Sequence, residues 1–158
     1  MQSRPRSNEY RTTTVCIDSY DEGVLSGRFY HAYREGSQTF HSITQLLIKM
    51  EQTLDAMSFP QSFHSMRSFL PPAQQQIDHS ADEMFPQGKL ATFAVKVLFR
   101  QNASWQGSVS WLEGIQEESF RSALELILLM DSALNGNDER ESEKTTDHVT
   151  DESLFSQQ

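Results

Sequence analysis

Cysteine is nearly missing from this chain, since Cys16 is the only one among 158 residues. One thiol cannot form an intramolecular disulfide, and it has no second thiol with which to bind a metal ion. A single cysteine inside an apolar run usually packs as a small hydrophobic side chain. The sequence therefore predicts neither a disulfide framework nor a thiolate metal centre, and we expect Cys16 to lie in a strand.

Long hydrophobic runs are also missing. No stretch of about 18 or more apolar residues occurs, although a membrane-spanning helix needs that length. The start of the chain contains Arg4, Arg6 and Arg11 without an apolar segment behind them, so it does not resemble a signal peptide. We expect a cytoplasmic protein that does not associate with membranes.

Catalytic and cofactor-binding motifs are absent as well. The sequence has no phosphate-binding loop, no dinucleotide-binding glycine pattern, no nucleophile elbow and no HExxH motif. Its five histidines are scattered, and no two of them have the spacing that would pair them on one helix face. We therefore expect a protein that is not an enzyme, with no cofactor, no metal site and no catalytic residues.

Positive charge is scarce, because 13 Lys and Arg residues stand against 22 Asp and Glu, for a formal net charge of -9. The imbalance is concentrated at the end of the chain, where residues 136–158 hold seven acidic and two basic side chains. Polar, like-charged ends are typical of disorder. We expect a disordered tail over 136–158, with docking on a basic partner surface as the alternative, and a disordered N-terminus over 1–11.

The most informative feature that is present is an internal repeat. Residues 12–55 align with residues 92–135 without a gap at an offset of 80, and eight of the 44 positions are identical. Chance would give about two or three identities at typical residue frequencies. The pattern therefore indicates an internal duplication. The identical positions are Thr12 and Thr92, Val15 and Val95, Gly27 and Gly107, Phe40 and Phe120, Ser42 and Ser122, Leu46 and Leu126, Met50 and Met130, and Leu54 and Leu134.

Each copy has the pattern of two strands followed by a helix. Apolar and polar residues alternate across two short runs that are joined by a turn, which predicts a β-hairpin. Apolar residues at helical spacing then follow Thr39 in the first copy and Ser119 in the second, and we expect these two residues to be the helix N-caps. Asn135 and Gly136 predict the end of the second helix.

One hairpin with one helix buries too little surface to be stable alone, so the two copies are expected to share a core. The sequence predicts an α+β fold of two tandem β-β-α repeats, at 12–57 and 91–135, related by a pseudo-two-fold axis. We expect one antiparallel sheet with two helices on one face. Gly27 and Gly107 fall on the apolar face of this sheet, where we expect the close approach of a helix.

The segment at 58–90 separates the copies and is rich in proline and aromatic residues. Long aromatic loops either pack across a core or serve as a binding element, and the sequence leaves both readings open. If the segment binds a partner, the candidate anchors are Phe59, Phe63 and Phe69.

The outward face of the predicted sheet collects basic and hydrogen-bonding side chains, which only Asp18 opposes. Sheets that bind single-stranded nucleic acid use basic side chains with aromatic stacking platforms, but this chain is acidic and offers only one outward aromatic ring. An ordinary solvated face is the alternative. The residues of this candidate binding face are Arg28, Tyr30, Lys96, Arg100 and Gln106.

Two stretches of the second copy resemble a known family. They are SWQGSVSWLE at 104–113 and FRSALELI at 120–127, and the similarity extends to GRFY at 27–30 and to the first helix. These stretches are similar to a family of small uncharacterised proteins from gut Clostridia and related Firmicutes. The resemblance implies a bacterial, cytosolic protein from mobile-element neighbourhoods, and it implies no activity and no catalytic residues.

Together these observations favour a non-enzymatic protein-interaction module that regulates or inhibits a nucleic-acid-handling system by docking on a protein partner. The grounds are the absence of catalytic motifs, the acidic tail and the aromatic segment between the copies. The alternative is a nucleic-acid or nucleotide binder that uses the outward sheet face. Homodimerisation also stays open, because the edge strands of such a sheet could pair with a second copy.

Overall fold

The computed structural model of the protein describes residues 9–62, 69, 86–101 and 103–146, with only the backbone described over 137–146. These residues form an α+β fold in which six strands build one antiparallel sheet and two helices pack on it. Buried side chains from both helices join those of one sheet face in a single hydrophobic core. The expected fold class is confirmed at this level.

The first half of the chain forms one side of the sheet and the second half forms the other, in the order β3-β2-β1-β4-β5-β6. Every neighbouring pair of strands is antiparallel. The elements of the first half are β1 (Thr12–Asp21), β2 (Val24–His31), β3 (Ser37–Phe40) and α1 (Ile43–Met57). Those of the second half are β4 (Ala91–Phe99), β5 (Gln106–Trp111), β6 (Gln116–Phe120) and α2 (Ala123–Thr146).

Each half contains a third strand, β3 or β6, that the sequence analysis did not predict. Thr39 and Ser119 lie in these strands, so the expectation that they cap the helices is wrong. The third strands have only four and five residues, and their last phenylalanine belongs equally well to an alternating or a helical pattern. Periodicity alone therefore could not separate them from the helices that follow.

The N-caps are Ser42 and Ser122, three residues after the predicted positions. Each hydroxyl accepts a hydrogen bond at 3.1 Å from a backbone N–H three residues on, at Gln45 and Glu125. The side chains of Gln45 and Glu125 in turn each accept a hydrogen bond from the backbone N–H of the residue before the cap, at 2.8 Å in both halves. This is the reciprocal arrangement of a capping box, and its Ser-x-x-Gln/Glu signature is present in both halves of the sequence.

Strand pairing corresponds position by position in the two halves at the offset of 80. A β-bulge also interrupts both hairpins at the same place, after Ile17 and after Val97. One extra residue in a strand reverses the face on which later residues lie. The corresponding pairs include Val15 with Phe29 and Val95 with Val109, and Gly27 with Phe40 and Gly107 with Phe120.

At the centre of the sheet β1 pairs with β4. Thr14 lies opposite Ala94, which is its own counterpart at the offset of 80. The two pairs on the Thr12 side of this position are matched on the other side by pairs in which the two halves are exchanged. The flanking pairs are Thr13 with Val95 and Val15 with Phe93.

The two core-facing glycines are explained by backbone proximity. A Cβ atom on Gly27 would lie 1.9 Å from the carbonyl oxygen of Cys16, and one on Gly107 would lie 1.9 Å from that of Lys96. Both oxygens belong to the neighbouring strand just before its bulge, not to a helix. The expected helix approach is therefore wrong, and glycine is needed because the bulge brings two strand backbones together.

Two expected boundaries also differ. Residues Glu9–Arg11, assigned to a disordered N-terminus, form a 3-10 turn before β1. Helix α2 continues to Thr146, so the predicted stop at Asn135 and Gly136 is wrong. A helical glycine costs only about 1 kcal/mol, and the Glu, Arg and Lys residues beyond it favour helix. The remaining residues of the two expected disordered ends, 1–8 and 147–158, and most of the 58–90 segment lie outside the described residues.

Over the described ranges, neither α1 nor α2 combines the length and the hydrophobicity that a membrane-crossing helix would need.

Candidate functional site

Four of the five predicted binding-face residues lie on the sheet face that points away from the helices, termed here the outer face. They are Arg28, Tyr30, Lys96 and Gln106, and they alternate along their strands with core-facing residues such as Phe29, Val95 and Gly107. Whether this face binds a ligand depends on what these side chains already contact.

Arg28 is already engaged with an acidic partner. Its guanidinium donates hydrogen bonds to both carboxylate oxygens of Asp18, at 3.0 and 3.3 Å. It also donates to the Tyr30 hydroxyl at 3.1 Å and to the Gln87 carbonyl oxygen at 3.0 Å. Asp18 in turn accepts a hydrogen bond from the Lys89 backbone N–H at 3.2 Å. This pair therefore holds the segment before β4 against the outer face. Because Asp18 already neutralises Arg28, little positive charge is left there to bind a ligand.

Arg100 does not lie on the outer face, contrary to the prediction. The bulge after Val97 shifts the alternation of β4 by one residue. As a result Phe99 points outward with 56% of its surface exposed, while Arg100 turns toward the helices and is 3% exposed. Simple alternation along the strand predicts the opposite facing.

The Arg100 guanidinium instead joins β4 to the end of α1. It forms ion pairs with Glu51 at 3.1 Å and with Asp55 at 2.6 Å, and its Nε donates to the Pro60 carbonyl oxygen at 2.6 Å. The indole N–H of Trp105 donates to the other oxygen of Glu51 at 2.5 Å. Because the partners of Arg100 lie within the fold, we assign it to structure.

Gln106 is likewise occupied. Its side-chain amide bonds the backbone N–H and the backbone carbonyl of Gln101, at 3.3 and 3.2 Å, and so closes the β4–β5 connection. Lys96 and Tyr30 remain, and neither contacts an acidic side chain among the described residues, although the Tyr30 hydroxyl accepts the hydrogen bond from Arg28.

A cleft of about 380 Å³ lies beside these two residues, at the end of β1 and β2. Lys96 stands opposite Thr12, one of the lining residues. Arg34 also lines the cleft, and its buried Nε has no hydrogen-bond partner among the described residues. Sequence analysis missed Arg34 because it lies in a loop without periodicity. The cleft is lined by Glu9, Thr12, Thr14, Tyr30, His31 and Arg34, among others.

His31 forms the buried wall of this cleft and is held in one tautomer. Its Nδ1 accepts a hydrogen bond from the Tyr33 backbone N–H at 3.0 Å, so this nitrogen carries no proton. Its Nε2 lies 3.1 Å from the Tyr10 carbonyl oxygen and donates to it. Burial lowers the pKa of His31, and the nearby positive charge of Arg34 lowers it further. The ring is therefore a neutral structural contact near neutral pH.

The opposite side of the molecule has an apolar groove, termed here the helix-face groove. It encloses a cavity of about 180 Å³ between α1, the β4–β5 connection and the start of α2. The polar lining atoms of Glu51 and Arg100 already bond each other. The apolar lining consists of Leu47, Ile48, Trp105 and Ala123, with Ala103 at the connection.

Exposed aliphatic side chains are also present on both helices. Ile48 on α1 is 45% exposed, and Leu124 and Leu128 on α2 are 64% and 56% exposed. Leu124 follows Ala123 directly and Leu128 lies one turn further on, so they share a face of α2. The sequence contained this signal, because these residues add apolar positions outside the stripe that each helix buries.

The three aromatic anchors predicted in the 58–90 segment have different positions. Phe59 is partly buried, and the Arg11 guanidinium lies over its ring at 5.0 Å from the centroid. Phe69 is fully exposed. Phe63 lies outside the described residues. The structure therefore assigns Phe59 a packing contact within the fold.

Within the described ranges, no three His, Cys, Asp or Glu side chains come together in an arrangement that could hold a metal ion. Cys16 lies in β1 as predicted and is buried.

Comparisons of the chain with protein-family models, with curated proteins and with solved structures found no match.

Proposed function

We propose that this chain is a non-enzymatic protein-interaction module and that a partner docks in the helix-face groove. The observation that carries the proposal is an apolar cavity lined by Ile48, on a pair of helices that also exposes Leu124 and Leu128. Both helices already bury a full stripe against the sheet, so the fold itself does not use these side chains. Contiguous exposed apolar surface is typical of interaction sites.

The occupant that fits best is an amphipathic helix with basic residues beside its apolar face. A groove with helices on its walls takes a third helix through apolar anchors at helical spacing. Asp55 keeps half of its side-chain surface exposed next to the groove, and the whole chain carries a formal charge of -9. Complementary charge speeds association and selects partners. A basic partner is the expected type for a regulator or inhibitor of a nucleic-acid-handling system.

This proposal includes the origin and setting of the chain. The halves are proposed to be an internal duplication about a pseudo-two-fold axis through the Thr14–Ala94 pair, supported by the corresponding registers on both sides of it. The setting is the cytoplasm of a bacterium that carries mobile elements. The free, buried Cys16 is compatible with a reducing compartment.

A photo-reactive amino acid placed at single positions tests where a partner docks. Position 48 and position 128 report on the helix-face groove, and position 108 on the outer face is the control. We expect irradiation in cells of the native host to give the same cross-linked protein at 48 and 128 and none at 108. Equal cross-linking at all three positions, or none at any, would contradict docking in the groove.

Variants that place a charge in the groove then test how strongly the captured protein binds there. Ile48→Lys and Leu128→Lys should each weaken its binding by about tenfold or more, because a charge would replace an apolar anchor. Ser108→Lys on the outer face is the matched control and should leave binding unchanged. A partner that binds the groove variants as well as the wild type would contradict the proposal.

Binding of nucleic acid or nucleotides at the outer face is the second candidate function. The observation that favours it is the cleft lined by Tyr30 and Arg34, with Lys96 on the strand position opposite the lining residue Thr12. It predicts that Lys96→Gln combined with Arg34→Gln abolishes binding of single-stranded oligonucleotides, measured by fluorescence anisotropy at low salt. Arg121→Gln on the exposed start of α2 is the control. If the wild type does not bind under these conditions, this candidate is excluded.

A further inference from the structure

The two edges of the sheet are built differently. At β3 the edge is closed, because Ser37, Gln38 and Phe40 are buried and the Lys49 ammonium donates a hydrogen bond to the Thr39 carbonyl oxygen at 2.6 Å. At β6 the first four residues are all exposed. Within the described part of the chain, β6 pairs with β5 alone. An exposed edge presents unpaired backbone N–H and C=O groups to any extended segment.

Two substitutions between the halves account for the difference. Leu129 takes the place of Lys49 at the offset of 80, so α2 has an aliphatic side chain where α1 donates an ammonium hydrogen bond to β3. Val109 takes the place of Phe29, whose ring is fully buried in the first half. The smaller side chain leaves a cavity of about 120 Å³ between β6 and α2. At about 30 Å³ for each water, the cavity has room for about four waters or one aliphatic side chain.

Apolar and polar side chains both line this cavity. Phe93, Trp111 and Leu129 form its apolar walls, and the polar residues are Gln116 and Glu118 of β6 with Ser132 of α2. The buried indole N–H of Trp111 makes no hydrogen bond to any described residue. The pocket and the open edge adjoin because Glu118 belongs to both. An extended chain laid along β6 would therefore direct alternate side chains toward the pocket.

We propose that the β6 edge binds an extended, basic segment of a partner protein as a seventh strand, with an aliphatic side chain in the pocket beside Trp111. The basic character follows from β6, where Glu117 and Glu118 are both exposed. Glu117 pairs with Ser110 and so lies on the outer face, whereas Glu118 pairs with Val109 and lies toward α2. Lys or Arg residues at alternate positions of the added strand would lie against Glu117.

The same charges argue against a second copy of this chain as the occupant. Two β6 strands paired across the edge would bring glutamates together on both faces, and like charges opposite each other destabilise a strand pair. Acidic residues on an edge strand therefore disfavour homodimers and favour pairing with basic strands. This site lies on the β6–α2 side of the molecule and does not depend on the helix-face groove, so either site can fail without the other.

The probe is a synthetic peptide of about eight residues that alternates lysine and valine. In an added strand its lysines lie on the outer face and its valines face the pocket. Two matched peptides serve as controls, one with glutamate in place of lysine and one with N-methyl groups on all backbone nitrogens. Binding is measured by fluorescence anisotropy, and the position is read from the amide exchange of residues 116–120.

We expect the lysine-valine peptide to bind and to slow the amide exchange of β6. The N-methylated peptide should not bind, because it cannot form the strand hydrogen bonds, and the glutamate peptide should be repelled. Equal binding of the N-methylated peptide would show simple charge attraction and would overturn the proposal. Absence of any binding by the wild type would overturn it too, since β6 would then act only as a protected edge.

Variants of the protein separate the charge from the pocket. Glu117→Lys combined with Glu118→Lys should weaken binding by about tenfold or more. Asp21→Lys combined with Glu35→Lys changes the net charge equally at a distance from β6 and should change the affinity by less than about twofold. An equal loss in this control would overturn a local role for β6.

Filling the pocket restores the chemistry of the first half. Val109→Phe places an aromatic ring where Phe29 stands at the other edge, so it should weaken binding of the lysine-valine peptide by about tenfold. Thermal unfolding and amide exchange confirm that this variant keeps the fold. If it does not fold, a peptide with glycine in place of valine makes the same test on the wild type. If Val109→Phe folds and binds the lysine-valine peptide as the wild type does, the role of the pocket is overturned. If Val109→Phe does not fold, equal binding of the glycine peptide overturns it.

Discussion

Arg100 and Tyr20 stand 80 residues apart, and each ties a strand of one half to the helix of the other half. Arg100 follows β4 and forms ion pairs with Glu51 and Asp55 of α1. Tyr20 lies in β1 and donates its hydroxyl to Asp131 of α2, which is the counterpart of Glu51. The halves are therefore joined by crosswise polar contacts as well as by the pairing of β1 with β4.

Arg100→Met is expected to destabilise the protein strongly. Among the described residues Arg100 is the only cation that contacts Glu51, whose side chain is 15% exposed, and the substitution also leaves the Pro60 carbonyl without its donor. Loss of one partner from a buried ion pair typically costs about 3–5 kcal/mol. Asp55 is half exposed and stays solvated, so we expect the lower end, about 3 kcal/mol of unfolding free energy. Urea unfolding followed by circular dichroism measures it.

Two further variants identify the cause of that loss. Arg121→Met removes an arginine whose side chain is 89% exposed, and it should leave the unfolding free energy nearly unchanged. Glu51→Gln in the Arg100→Met background should recover part of the stability, because it removes the uncompensated charge. If Arg100→Met were as mild as Arg121→Met, the crosswise contact would contribute little to stability.

Tyr20 is expected to ionise at higher pH than an exposed tyrosine. The hydrogen bond to Asp131 raises the pKa of Tyr20, since a phenolate beside a carboxylate is disfavoured. With the folded pKa above the unfolded value of about 10, this contribution to stability is present below about pH 10 and is lost as pH rises through the folded pKa. Phenolate absorbance during an alkaline titration measures the shift. The ionisation of Tyr20 should move to lower pH in Asp131→Asn. An unchanged titration curve would contradict the hydrogen bond between Tyr20 and Asp131.

The repeat in the sequence was enough to predict the elements that depend on local periodicity. Both hairpins and both helices are present, and the outward facing of Arg28 and Lys96 follows from simple alternation. The third strands were missed because four or five residues carry too little pattern beside a helix that begins three residues later. Local pattern therefore predicts long elements and fails on short ones.

The candidate site was harder to predict because it depends on how strands pair. Arg100 was placed on the wrong face since a bulge, which is a property of two strands together, shifts the alternation after Val97. The open edge at β6 depends on which strand stands last in the sheet, and sequence order alone does not determine this. One signal is present in the sequence, since Trp111, which lines the pocket beside that edge, stands where the first half has His31.

Gly107→Ala and Gly27→Ala should each destabilise the protein by about 1–3 kcal/mol. Either Cβ would lie 1.9 Å from a carbonyl oxygen of the neighbouring strand, so the bulge would have to shift. Gly136→Ala is the matched control, because it lies in α2 with no atom within 4 Å of the added Cβ. That variant should be stabilised by about 0.5–1 kcal/mol through its helix propensity. Thermal unfolding of the three variants provides the comparison. Wild-type stability of Gly27→Ala and Gly107→Ala would contradict the role assigned to the bulges.

His31 should make the protein less stable as the pH falls below neutral. Burial lowers the pKa of His31 in the folded state, while the unfolded value stays near 6.5. Between these two values the unfolded chain binds the proton and the folded chain does not, so the free energy of unfolding falls as the pH decreases. The loss begins near pH 6.5 and levels off below the folded pKa.

The variant that tests this contribution is His31→Gln. An amide can still donate to the Tyr10 carbonyl oxygen and accept from the Tyr33 backbone N–H, but it does not titrate. Urea unfolding between about pH 7.5 and about pH 5.5 should show a smaller decrease in stability for His31→Gln than for the wild type. His41→Gln, at an exposed histidine, should follow the wild-type curve. Parallel curves for all three proteins would mean that His31 does not cause the acid sensitivity.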